Sequence, residues 1–160
     1  MPRLKFVGIM ALVVFAMGIV LVGYGLAGEK ENLKIIERNN NELWNLQKYE
    51  VADEIVAENY VRHLPGGQDI RGREAYVEAI KQFMVNKWVW TFDPLIAAGD
   101  YVVGRASGVG MEPVTGKPLK ITAIVIFRLK DGKMVEDTVE LDMLGLYQQL
   151  GYKLVPPSEK

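Results

Sequence analysis

The chain has 160 residues, 49% of them hydrophobic and 24% charged, which fits one folded domain and excludes disordered and collagen-like polymers. Its 19 Lys and Arg against 20 Asp and Glu leave a net charge of -1, so the basic surplus of a duplex nucleic-acid binder is missing. The absence of Cys excludes a disulfide framework, a thiolate zinc site, an iron–sulfur cluster and a cysteine nucleophile, and a single His excludes a multi-histidine metal site.

Residues 1–28 carry Arg3 and Lys5 and no acid. Between Phe6 and Ala27 lie 22 residues without a charge or an amide side chain. As a helix this run would be about 33 Å long, enough to cross a hydrocarbon core. Two readings stay open: an uncleaved signal anchor, and a secretory signal peptide cleaved after the small residues Gly25 and Ala27. Arg3 and Lys5 on one side, with Glu29 and Glu31 on the other, place the folded domain on the extracytoplasmic side. This punctuation divides the chain into a membrane anchor or signal segment over 1–28, a domain over 29–151 and a tail over 152–160.

From Glu29 to Tyr49, Leu33, Ile36, Leu43 and Leu46 recur at helical spacing, with Ile35 and Trp44 beside them. Asn39, Asn40 and Asn41 lower helix propensity in the middle. A short helix fits Val51 to Ala57, and Asn59 to His63 reads as extended. Arg71 to Asn86 returns to helical spacing through Ala75, Val77, Ala79, Ile80, Phe83 and Met84.

After Asn86 the period falls to two, with Trp88, Trp90 and Phe92 on one parity. Tyr101 to Met111 is a strand whose Gly104, Gly108 and Gly110 share a face, suiting a bend or a close approach by another chain. Leu119 to Lys130 is apolar on both faces at its centre, so both faces are expected to be covered. Asp131-Gly132 is a hairpin turn, Met134 to Leu141 the returning strand, and Asp142 to Leu150 a last helix stopped by Gly151. Helices first and antiparallel strands afterwards make an α+β fold, with helices against one face of a curved sheet and a pocket between them.

The stretches LWNLQKYEVADEIVAENYVRH, IRGREAYVEAIKQF, LIAAGDYVVGR, PVTGKPLKITAIVIFRLKDGKMVE and LDMLGLYQQLG resemble the SnoaL-like polyketide cyclases, also called predicted ester cyclases. These belong to the nuclear transport factor two-like superfamily. The resemblance runs from about Glu31 to Gly151 and implies a cone-shaped antiparallel sheet with the N-terminal helices on its concave face. It also implies homodimers formed through the open face of the sheet, where Ile124 and Ile126 would otherwise be exposed. The attributed chemistry is an aldol closure, or a related isomerase or dehydratase reaction, on an apolar carbonyl compound. It uses no cofactor and no metal: a carboxylate moves the proton, and an apolar pocket raises its pKa.

Three residues could carry that chemistry. Asp137 shares strand parity with Val135, Val139 and Leu141, so it is either a pocket carboxylate or a rim carboxylate at a sheet edge. Asp142 opens the DxLGL ending and is either an acid/base or a helix N-cap. His63 could orient or polarise a carbonyl, or serve only as a structural hydrogen-bonding group. Trp88 and Trp90 are either core or the apolar wall of a ligand pocket, and Tyr60 and Tyr147 fit the same argument more weakly. Thr138 replaces a Trp common among relatives, and GVGMEP is shorter than their corresponding segment and lacks its His. These departures keep a second class open: a non-catalytic domain that binds a hydrophobic small molecule or a partner beside the membrane.

Overall fold

The computed structural model describes residues 28–156 except residue 86. The expected span over residues 6–27 lies outside the described residues. Among those described, no helix is long and apolar enough to cross a membrane.

The first helix, α1, is described from 28 to 38 and widens into a π-helical stretch at Asn39–Asn45. The triple-Asn run is the place where it widens, because Asn39 and Asn40 turn inward and bond to core partners. A π turn adds a residue to the helical repeat and rotates the residues C-terminal to it. Leu43 stays buried, while Leu46, expected inward, is 62% exposed. The short α2 (Val51–Ile55) passes directly into β1 (Val56–Leu64), two residues earlier than the helical spacing suggests. β2 (Gln68–Arg71), α3 (Arg73–Met84), β3 (Val89–Ala98), β4 (Tyr101–Met111), β5 (Pro118–Lys130), β6 (Lys133–Leu141) and α4 (Met143–Gln149) complete the order.

The six strands form one sheet in the order β2-β1-β6-β5-β4-β3. The all-antiparallel expectation needs one correction: β1 pairs with β6 in parallel, so the sheet is mixed. The reason is topological. β1 and β6 are far apart in sequence, so no hairpin fixes their direction. Their register aligns Arg62 with Asp137 and His63 with Thr138. The other neighbours are antiparallel. The β5–β6 turn places Asp131 and Gly132 both at positive φ, the backbone a two-residue hairpin of this type requires.

The glycine face of β4 is filled by the aromatic face of β3. A Cβ on Gly108 would lie 2.8 Å from the Trp90 ring, and one on Gly110 would lie 2.5 Å from the Trp88 ring. The glycines thus let large rings lie flat on the sheet. Phe83 of α3 stacks on Trp88 at 5.6 Å, which ties that helix to the same layer.

The core lies between the sheet and α1–α3, built around Ile36, Leu43, Ile80, Val102, Phe127 and Leu129. On the opposite sheet face, Ile96, Val103, Ile124 and Ile126 are exposed in the single chain. Strand register puts Ile96 opposite Val103 and Val103 opposite Ile126, so they form one continuous apolar surface.

Candidate functional site

A cavity of about 180 Å³ opens between the inner sheet face and the helices. Its floor is set by a pair of small residues: Ala106 of β4 and Ala123 of β5 are register partners and both line it. Phe92, Val125, Phe127, Val139 and Leu141 extend the apolar floor. Leu64 and Ile70 close the β1–β2 side, and Phe83, Ala79 and Trp44 come from the helices. Polar lining is limited to Asn39, Asn40 and Arg62, with the indole of Trp90 beside them.

Among the described residues of the lining, Arg62 alone is charged. Alternation along β1 turns Tyr60, Arg62 and Leu64 inward. Across the parallel register, Arg62 Nη2 lies 3.0 Å from Asp137 Oδ2, and Nε donates to Oδ1 at 3.2 Å. The Asp137 side chain is wholly buried. The guanidinium also lies 5.1 Å from the ring centres of both Trp44 and Tyr76, so two aromatic faces hold it from the helix side. Those rings are fixed in turn: Trp44 Nε1 donates to Tyr76 Oη at 2.8 Å, and Tyr76 Oη donates to Asn39 Oδ1 at 3.1 Å.

Burial and ion pairing compete in this cluster. Burial opposes the Arg62 charge, but Asp137 holds its pKa above the ordinary value. Burial pushes the Asp137 carboxyl up, and Arg62 opposes this without cancelling it. Burial likewise pushes the Tyr60 phenol well up. Tyr60 Oη lies within electrostatic reach of Asp137 but makes no well-directed hydrogen bond. Trp90 Nε1 is also buried without a partner among the described residues.

The π-helical stretch positions the Trp90 wall. Asn45 accepts from Trp90 N at 2.9 Å and donates to Trp90 O at 2.8 Å, acting as a one-residue extension of the sheet at edge strand β3. Asn40 donates to the same carbonyl at 3.1 Å.

The sequence candidates fall in different places. Asp137 is not a rim group: β6 is an interior strand, and the carboxylate sits behind Arg62, outside the cavity lining. Trp90 lines the cavity, whereas Trp88 packs as core beneath Phe83. Tyr60 is buried beside Asp137 and does not line the cavity. His63 faces outward, between Asp69 at 2.8 Å and Glu136 at 3.0 Å. Asp142 is the N-cap of α4, accepting from Gly145 N at 2.9 Å. Tyr147 is half exposed and packs on Tyr152. Among the described residues, no group of three or more His, Cys, Asp or Glu is placed to hold a metal ion.

Arg62, Asn39, Asn40 and Asn45 are the site residues that sequence reasoning misses. The available signal for Arg62 is its shared parity with Tyr60, on a strand able to meet the buried-parity Asp137. The asparagines carry none, since a π turn has no pattern in side-chain spacing.

The mixed six-strand sheet with helices across its concave face and a pocket between them defines a nuclear transport factor two-like domain. The SnoaL-like polyketide cyclase family model matches residues 34–150, and the chain belongs to that family. A candidate SnoaL-like polyketide cyclase from Jannaschia sp. CCS1 superposes with a TM-score of 0.72 at 19% identity, covering 79% of this chain and 96% of that one. IdmH of Streptomyces antibioticus, a candidate polyketide cyclase, gives 0.69 at 24% identity over 76% and 99% of the two chains. A candidate polyketide cyclase from Bacillus cereus ATCC 10987 is 31% identical, with a TM-score of 0.66 over 76% and 80%. No curated protein matches the chain.

Proposed function

We propose that the domain binds a hydrophobic small molecule in the cavity between sheet and helices. One observation carries this reading: an apolar cavity of about 180 Å³ whose one charged wall residue among those described, Arg62, is already neutralised. Such a site stabilises an apolar guest by removing it from water, and its few polar groups orient it. Ala123→Leu would fill the floor. Ethylbenzene should raise the thermal stability of the native chain and leave this variant unaffected. No stabilisation of the native chain, or equal stabilisation of both, would sink the reading.

A second reading is favoured by Asp137, a wholly buried carboxyl with a raised pKa beside Arg62 and the Tyr60 hydroxyl. Such groups are common at catalytic sites. Here the domain performs metal- and cofactor-independent acid/base chemistry of the aldol cyclase, isomerase or dehydratase type, with Arg62 polarising a carbonyl and Asp137 moving the proton. Binding comes first because Asp137 lies one guanidinium behind the cavity wall. His63 and Asp142 receive no catalytic role, since neither lines the cavity. The discriminating measurement is exchange of the α-protons of a bound ketone in D₂O, which the catalytic reading expects to vanish in Asp137→Asn.

The setting of the domain is part of the proposal. The uncharged run over 6–27 tethers it to a membrane with the domain outside, or directs its secretion, and the mass of the purified N-terminus separates the two. The continuous Ile96–Val103–Ile126 surface supports a homodimer through the open sheet face.

A further inference from the structure

Two residues of the cavity wall, Trp90 and Arg62, carry N–H donors. Trp90 is 8% exposed, and its Nε1 has no partner among the described residues. The benzo edge of its indole, and not the pyrrole edge that carries Nε1, rests on Gly108. On the other side, Asp137 Oδ1 accepts from Arg62 Nε, while Oδ2 lies 3.0 Å from Nη2 without a well-directed hydrogen bond. A guanidinium has five N–H donors, so its Nη1 hydrogens remain for a ligand. A buried donor without an acceptor is costly, and a ligand that supplies one recovers that loss.

Charge and size narrow the guest further. Asp137 already balances Arg62, and no other lining residue among those described is ionised. A carboxylate or ammonium guest would therefore bury an uncompensated charge. A cavity of about 180 Å³ is close to the roughly 150 Å³ that holds a benzene. We propose that the cavity takes a neutral, single-ring compound bearing an acceptor oxygen for the N–H groups of Arg62 and Trp90. This rests on the binding reading of the cavity and adds its charge, size and polar contact.

Four probes separate these attributes: acetophenone, its acceptor-free isostere ethylbenzene, the anion benzoate, and the two-ring 2-acetonaphthone. The full chain is held in lipid nanodiscs with ¹⁵N-labelled tryptophan, giving indole signals from Trp44, Trp88 and Trp90. Acetophenone should bind about tenfold more tightly than ethylbenzene, as a hydrogen bond to a charged donor implies. It should also move the Trp90 indole proton downfield, which ethylbenzene should not. Trp90→Phe identifies that signal. Arg62→Met alone strands Asp137, so the double variant Arg62→Met/Asp137→Leu tests the second donor: it should keep ethylbenzene binding and reduce the acetophenone advantage. Equal binding of acetophenone and ethylbenzene with no downfield shift overturns the polar contact while the binding reading stands. Benzoate binding as well as acetophenone overturns neutrality, and tighter binding of 2-acetonaphthone overturns the size limit. If no probe binds, both readings fall together.

Discussion

Arg62 and Asp137 are register partners on the parallel strand pair β1–β6, and their side chains close that pair with a two-point contact at 3.0 and 3.2 Å. The pair therefore joins the N-terminal β1–β2 hairpin to the last strand of the meander. It also places the guanidinium, rather than the carboxylate, at the cavity wall.

Removing one partner leaves the other charge buried. Asp137→Leu should destabilise the domain by about 3–5 kcal/mol, measured by urea unfolding. The double variant Arg62→Leu/Asp137→Leu should recover most of that loss, because an apolar pair of similar volume faces no desolvation penalty. A double variant as unstable as the single one would show that the contact with Trp44 and Tyr76, and not the charge balance, anchors Arg62.

Asp142 has a different task. Its carboxylate caps α4 through Gly145 N, and α4 lies outside the cavity. Asp142→Ala should cost about 1 kcal/mol of stability, while ligand affinity and ketone proton exchange stay as they were. Loss of exchange with unchanged stability would instead make Asp142 the acid/base.

The contrast between these two carboxylates shows what the sequence could carry. Strand parity puts Asp137 on an apolar face, and its position just before a helical run makes Asp142 a cap candidate. Both are local patterns, and the structure contains both. Parity cannot say that a neighbouring strand will present Arg62, because the β1–β6 pairing joins Arg62 to a residue 75 positions away with no turn to predict it. His63 obeys the same rule in reverse: its parity opposes that of Tyr60, so it points outward. The antiparallel meander β3–β6 is legible from its turns and period. The π-helical stretch that aims Asn40 and Asn45 at Trp90 is not, since only the core partners of those asparagines explain why the helix widens there.

The glycine face of β4 makes a packing prediction. Gly108→Ala places a methyl 2.8 Å from the Trp90 ring, which a real contact does not tolerate. The ring must lift from the sheet, toward the cavity it lines. Expected are a loss of about 1–3 kcal/mol, a change in tryptophan fluorescence and weaker binding of any cavity ligand. Unchanged fluorescence would mean the strand yields instead of the ring.

The outward cluster around His63 gives the pH dependence. His63 bridges Asp69 of β2 and Glu136 of β6, and Arg128 Nε donates to the second Glu136 oxygen at 2.7 Å. The bonds to Asp69 and Glu136 raise the His63 pKa. His63 lowers Asp69, while Arg128 and then His63 lower Glu136. A raised histidine contributes stability that is full below its unfolded value of about 6.5 and is lost as pH rises through the folded value. The lowered carboxylates contribute above their unfolded values, near pH 4, and lose that contribution as pH falls. The clasp is therefore complete between about pH 5 and 6.5 and weakens on either side. The His63 side chain is 36% exposed, so water and salt screen it and the effect is modest. Unfolding curves of the native chain and His63→Gln should differ most between pH 5 and 6.5 and converge by about pH 9, with the gap shrinking at high salt. A gap that stayed constant across that pH range would show His63 acting by packing or neutral hydrogen bonds rather than by its charge.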